Sequence, residues 1–99
     1  MLFAIIADDV PDSQGLRAAR RPEHLARLEQ LRDQGRLILA GPFPVVASDQ
    51  PGAPGATGSL IVAEFESLAA AQAWAEADPF RTGGVYARVQ VKPFRHVLP

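Results

Sequence analysis

The chain predicts an α+β fold of order β-α-β-β-α-β, a four-stranded antiparallel sheet with two helices on one face. Three observations carry this. Short apolar segments of strand length lie at residues 2–7, 36–40 and 59–65. Two helical segments, 22–34 and 68–77, alternate with them. A run from Val85 to Lys92 then alternates apolar and polar residues at period two.

Leu2-Phe3-Ala4-Ile5-Ile6-Ala7 is rich in strand formers and stops at Asp8-Asp9 and Pro11, as a buried central strand does. Asp12 and Ser13 are helix-start residues, and a helical turn or two is expected over 13–20. Pro22 disfavours helical geometry at Arg21, so a break or kink is expected there, with the main helix running from Pro22 to about Gln34. Gly35 is the expected residue just past its end. At 100° per residue His24, Leu28 and Leu31 fall within about 60° of one another, so the imidazole is expected on the core-facing side.

Residues 36–40 read as a second strand, ended by Gly41-Pro42. From Pro44 to Gly58 three prolines and three glycines predict a long connection, of the kind that forms lids and binding loops or an idle hairpin tip. Residues 59–65 form the third strand. Ser67 caps an alanine-rich helix from Leu68 to about Ala77, stopped by Asp78-Pro79. Trp74 is its one bulky side chain, expected in core or interface packing. Gly83-Gly84 is a turn, and Val85, Ala87, Val89 and Val91 then share one face of the last strand.

Two right-handed β-α-β crossovers put both helices on one face, the ferredoxin-like split βαβ arrangement. The other face is left bare. Apolar residues of the third and last strands point to both faces, so a second copy is expected to cover it, giving a homodimer.

Ninety-nine residues suit a single domain, 1–99. Ten basic against eleven acidic residues leave a formal charge of −1, which supplies no field for a polyanion; no nucleic-acid partner is expected. The longest apolar run, residues 2–7, is too short to cross a bilayer, and no basic segment precedes it. No membrane partner and a cytoplasmic location are expected. The absence of cysteine excludes disulfides, thiolate metal sites and a cysteine nucleophile.

Chemistry at neutral pH points to His24, because imidazole titrates near neutrality and this one sits at the edge of the core. The candidate orienter is Asp78: the start of the first helix and the end of the second can meet on the shared sheet face. A carboxylate on one ring nitrogen fixes the tautomer and raises the basicity of the other. Each residue also has a plain structural reading, a core histidine and a helix stop before proline. One histidine and one aspartate make a poor metal site, and no phosphate-cradling or dinucleotide motif is present, so neither a metal nor a cofactor is expected. Gly41 permits close backbone approach to a ligand, with Pro42 beside it. Phe80 either walls a pocket or fills the core. Ser48 is polar and sits in the long connection, a candidate for substrate contact. Arg17, Arg20 and Arg21 form a basic patch, read either as a solvated helix face or as an anchor for an anion.

These residues resemble the YciI-like (YCII-related) family over nearly the whole chain. The resemblance rests on Arg21-Pro22-x-His24-Leu25, Gly35-Arg36-Leu37 with Ala40-Gly41-Pro42, Gly58-Ser59, Ala71-x-x-Trp74 with Asp78-Pro79-Phe80, Gly84-Val85-Tyr86 and Val91-Lys92-Pro93-Phe94. It implies a dimeric ferredoxin-like fold of the α/β-barrel type, an active-site pair at His24 and Asp78, and a pocket beside them. Relatives in that group include a dehydrochlorinase, isomerases and monooxygenases.

Two functions compete. One is a cofactor-independent enzyme in which the His24–Asp78 pair abstracts a proton from a small organic acid or ring-derived metabolite, with elimination (lyase or dehydrohalogenase) or isomerisation following. The alternative is a non-catalytic small-molecule binding or regulatory module. A small-molecule ligand is the expected partner in both.

Overall fold

The protein is described by a computed structural model covering residues 1–50 and 55–99. Its elements are β1 (Leu2–Asp9), α1 (Gln14–Asp33), β2 (Leu37–Pro44), β3 (Ala56–Glu64), α2 (Leu68–Glu76), α3 (Pro79–Thr82) and β4 (Tyr86–Phe94). The sheet order is β2-β3-β1-β4, with every neighbouring pair antiparallel. This is the ferredoxin-like arrangement, with the helices on one face.

The core lies between that face and the helices. Phe3, Ile5, Ile61 and Ala63 of the two central strands meet Leu28 and Leu31 of α1 and Ala71 and Ala75 of α2. The small alanine side chains let α2 approach the sheet closely. The buried residues of α1 are His24, Leu28 and Leu31, the face that the helical period assigns. Its C-terminus closes as a Schellman motif. The Arg36 N–H donates to the Leu31 carbonyl and the Gly35 N–H to that of Arg32, both at 2.9 Å. Gly35 sits at φ +72°, the left-handed region that glycine enters freely.

The structure corrects several boundaries. Pro22 lies inside α1, which runs without a break from Gln14 to Asp33. Proline removes one intrahelical hydrogen bond, and the buried face of His24, Leu28 and Leu31 holds the helix together across it. Gly41-Pro42 does not end the second strand, which continues to Pro44. β2 is an edge strand, where a missing proline N–H costs no ladder partner on the open side. The third strand starts at Ala56, so the long connection is shorter than its composition predicts; its residues 51–54 lie outside the described residues. Between Asp8 and Asp9 the pairing with β4 shifts by one residue, Asp8 facing Arg88 and Asp9 facing Tyr86. The period-two pattern therefore breaks at Ala87. Tyr86, not Ala87, turns into the core beside Ala7, Phe80 and Val85.

Candidate functional site

Asp78 does not simply stop α2. It is the N-cap of the extra turn α3, and its Oδ1 accepts the Phe80 N–H at 2.8 Å. The same carboxylate reaches across to α1, where His24 Nδ1 lies 2.8 Å from Oδ1 and 3.0 Å from Oδ2. Both side chains are buried, Asp78 at 2% exposure and His24 at 7%. Facing an ionised carboxylate, which only accepts, Nδ1 would be the nitrogen that carries the proton. Nε2 is then the basic nitrogen, and it makes no hydrogen bond to the described residues. Phe80, one residue past Pro79, stacks on the imidazole with centroids 3.9 Å apart and planes 11° from parallel. The helix cap, the ring stack and the hydrogen bond to Asp78 together hold one imidazole orientation.

His24 opens into a cavity of about 220 Å³ between α1 and the sheet. Its apolar walls are Leu25, Leu28, Ile61 and Phe80; Ala40, Gly41 and Pro42 of β2 form its rim; Arg17, Arg21 and Ser59 supply polar groups. Of the residues singled out in the sequence, His24, Gly41, Pro42 and Phe80 line the cavity, and Asp78 stands behind His24. Ser48 does not line it; its hydroxyl accepts the Gln50 N–H at 3.2 Å. A larger, open cavity of about 540 Å³ lies at the other end of the sheet, where Leu2 pairs with Glu64, and contains neither member of the pair.

The sequence did not single out a second polar cluster beside the pair. Arg17 is not a solvated helix residue. Its Nε donates to Asp9 Oδ2 at 2.6 Å and its Nη2 to Asp9 Oδ1 at 2.9 Å, with side chains 14% and 2% exposed. Nη2 also reaches the Gly58 carbonyl and Ser59 Oγ, each at 2.9 Å. Ser13 Oγ donates to Asp9 Oδ2 at 2.6 Å, so this residue at the helix N-cap position braces the carboxylate and makes no side-chain cap. Gly58 is required here because a Cβ would overlap the Ala7 carbonyl oxygen. Tyr86 completes the cluster. Burial pushes its phenol up to about 12; Ser59 and Arg17 oppose that rise and Asp78 and Asp9 add to it. Even so, its hydroxyl makes no hydrogen bond to the described residues.

Arg27, three residues after His24, lies over the Trp74 ring at 4.3 Å, and Trp74 packs on Phe65 at 5.7 Å. Desolvation lowers the Arg27 guanidinium below its ordinary range, and the field of Asp78 pulls it back. Trp74 packs against the core cluster beside Phe65 and lines the larger cavity.

The chain is similar to known proteins along nearly its whole length. The chain is 59% identical over 98 residues to Protein YciI of Escherichia coli O6:H1 and to that of Shigella flexneri, covering 99% of this chain and all of theirs. An uncharacterized protein of Haemophilus influenzae is 47% identical over the same span. A similar solved structure is 5-chloro-2-hydroxyhydroquinone dehydrochlorinase from Burkholderia phenoliruptrix, in complex with 2,5-dihydroxybenzoquinone. It superposes with a TM-score of 0.84 at 32% identity, over 98% of this chain and 96% of that one. The YCII-related domain profile matches residues 1–95, and the chain belongs to the YCII-related family.

Proposed function

We propose that the protein is a cofactor-independent enzyme that removes a proton from a small ring-derived or enolisable acid, with loss of a leaving group or a double-bond shift. The observation that carries this is the Asp78 carboxylate on His24 Nδ1, which leaves Nε2 as the basic atom of a residue lining a small cavity. In an elimination, Nε2 takes the proton, the electron pair left behind forms the new π bond, and the leaving group departs with its bonding pair. Asp78 stabilises the imidazolium that results. Gly41, Pro42 and Phe80 shape the cavity around the substrate. The dehydrochlorinase that this chain resembles is named for a reaction of this type.

The test compares wild type with His24→Ala on halogenated hydroquinones and enolisable acids in heavy water, reading halide release and deuterium uptake by NMR. Turnover by wild type, lowered about 10²–10⁴-fold in the variant with its fold retained, is expected. Equal rates in both, or every compound returned unchanged, would replace the enzyme with a binding module.

The chain also acts as a homodimer in this proposal. Leu39, Phe43 and Phe94 stand on the sheet face away from the helices and are well exposed, leaving an apolar surface that a second copy would bury. Light scattering should give twice the mass of 10.6 kDa for wild type, and Phe43→Glu should shift it to one chain.

A further inference from the structure

Arg17, Arg21, His24 and Leu28 fall within about 60° of one another around α1, and all four line the cavity. Their charges are not balanced alike. Arg17 is held by the Asp9 carboxylate through two hydrogen bonds, and His24 by Asp78. The neighbouring Arg20 pairs with Glu23 at 3.6 Å. Arg21 has no carboxylate within ion-pair distance among the described residues and is exposed at the cavity mouth. Arg21 is therefore the one arginine lining the cavity without an ion-pair partner among the described residues.

The Arg17 guanidinium adds a second feature. Nε and Nη2 spend their protons on Asp9, Gly58 and Ser59, while Nη1 makes no hydrogen bond to the described residues. Its central carbon lies 5.0 Å from the centre of the Phe80 ring, the ring that stacks on His24. Two arginines one helical turn apart thus flank an apolar slot whose remaining polar side chains are the imidazole and Ser59.

We infer that Arg21, assisted by Arg17, is the specificity-determining anchor of this site and selects a single-ring anion whose charged oxygen meets the guanidinium. The inference rests on the proton-abstraction reading for the role of His24, but it concerns recognition and can be tested without turnover. The volume of about 220 Å³ suits one substituted ring. The aliphatic and aromatic walls take the ring faces, and the charged oxygen stays at the mouth, where it keeps part of its hydration. A charge-assisted hydrogen bond there adds discrimination against neutral rings of the same shape.

The test is calorimetric titration of 2,5-dihydroxybenzoquinone, anionic at neutral pH, and of its neutral dimethyl ether, against wild type, Arg21→Gln, Arg21→Lys and His24→Ala. Because Arg21 is exposed, its replacement leaves the fold intact. The anion should bind wild type more tightly than the ether does. Arg21→Gln should weaken the anion about tenfold, with Arg21→Lys recovering much of the loss and the ether indifferent to both. Anion binding equal in wild type and Arg21→Gln, equal weakening of anion and ether, or no anion binding by wild type would overturn the anchor. Arg21-dependent binding without turnover of any compound would leave the anchor standing and defeat only the catalytic reading.

Discussion

Phe80 lies flat on His24 at 3.9 Å while its backbone N–H donates to the carboxylate that the same imidazole contacts. One short segment, Asp78-Pro79-Phe80, therefore fixes both the edge and the face of the ring. Phe80→Ala should unfold at lower urea, by about 3–5 kcal/mol, because the ring is buried at 2% exposure among Ala7, Val85 and Tyr86. Phe80→Leu retains most of the volume. It should keep most of the stability yet slow turnover through a looser imidazole, which separates packing from orientation.

Asp78→Asn tests the tautomer. The amide oxygen can still accept the Phe80 N–H, so little of the cap is lost. Its NH₂ then stands in the place of Oδ2, 3.0 Å from Nδ1, and as a donor there it favours the tautomer with Nδ1 as acceptor and the proton on Nε2. A protonated Nε2 cannot abstract. Turnover should fall by about 10⁴-fold while thermal stability changes little. Nitrogen NMR of His24 should show the proton on the other ring nitrogen.

Arg17→Met should cost about 3–5 kcal/mol in chemical denaturation, because it leaves the Asp9 carboxylate, 2% exposed, without its bidentate partner. The double variant Asp9→Asn, Arg17→Met should recover most of that loss, since neither side chain then carries an unpaired charge. A double variant as unstable as Arg17→Met alone would place the stabilisation in packing.

The difference between these two clusters shows what the sequence could reveal. His24 and Asp78 were legible because the helical period turned His24 inward and the β-α-β order brought two helices to one face. The place of Phe80 after Asp78-Pro79 singles it out but fits a pocket wall and a core filler equally, and the ring is both. Asp9, Ser59 and Tyr86 were not legible, because their meeting depends on pairings far apart in sequence and on a one-residue shift between Asp8 and Asp9. A shift of one residue moves every following side chain to the opposite face. Arg17 shares the helical period of His24, yet a period alone does not tell a paired arginine from a solvated one. The length of β2 was hidden for another reason: Gly41-Pro42 breaks a central strand but not an edge strand, and edge position is a property of the whole sheet.

Tyr86 gives a pH signature that can be read directly, since the chain has one tyrosine. The folded protein holds the phenol neutral to about pH 12, against 10.0 for an exposed one. Ionising the buried phenol disfavours the fold, so this group leaves stability unchanged below pH 10.0 and lowers it as pH rises through about 12, by an amount on the order of 2–3 kcal/mol. Near-ultraviolet titration of the native protein should show phenolate only toward pH 12. Tyr86→Phe should match or exceed wild type in stability at neutral pH, since the buried hydroxyl has no partner among the described residues, and should lack the alkaline loss.

Pro22 sits near the middle of α1, two residues before His24, where the missing N–H leaves the Ala18 carbonyl without its helical donor. Pro22 itself is exposed, so its ring makes no core contact, and the helix is held across it by the buried His24, Leu28 and Leu31. Pro22→Ala restores the bond and relieves the ring's clash with the preceding turn. It should raise stability by up to about 3 kcal/mol, the interior penalty of proline relative to alanine. The same change acts on the cavity, because Arg21 and His24 flank the proline and their side chains take direction from the backbone at that turn. If the imidazole is held by Asp78 and Phe80 alone, the stabilised variant keeps the wild-type affinity for an anionic ring. A more stable variant with weakened binding would show that the proline also sets the angle at which Arg21 and His24 face each other's ligand.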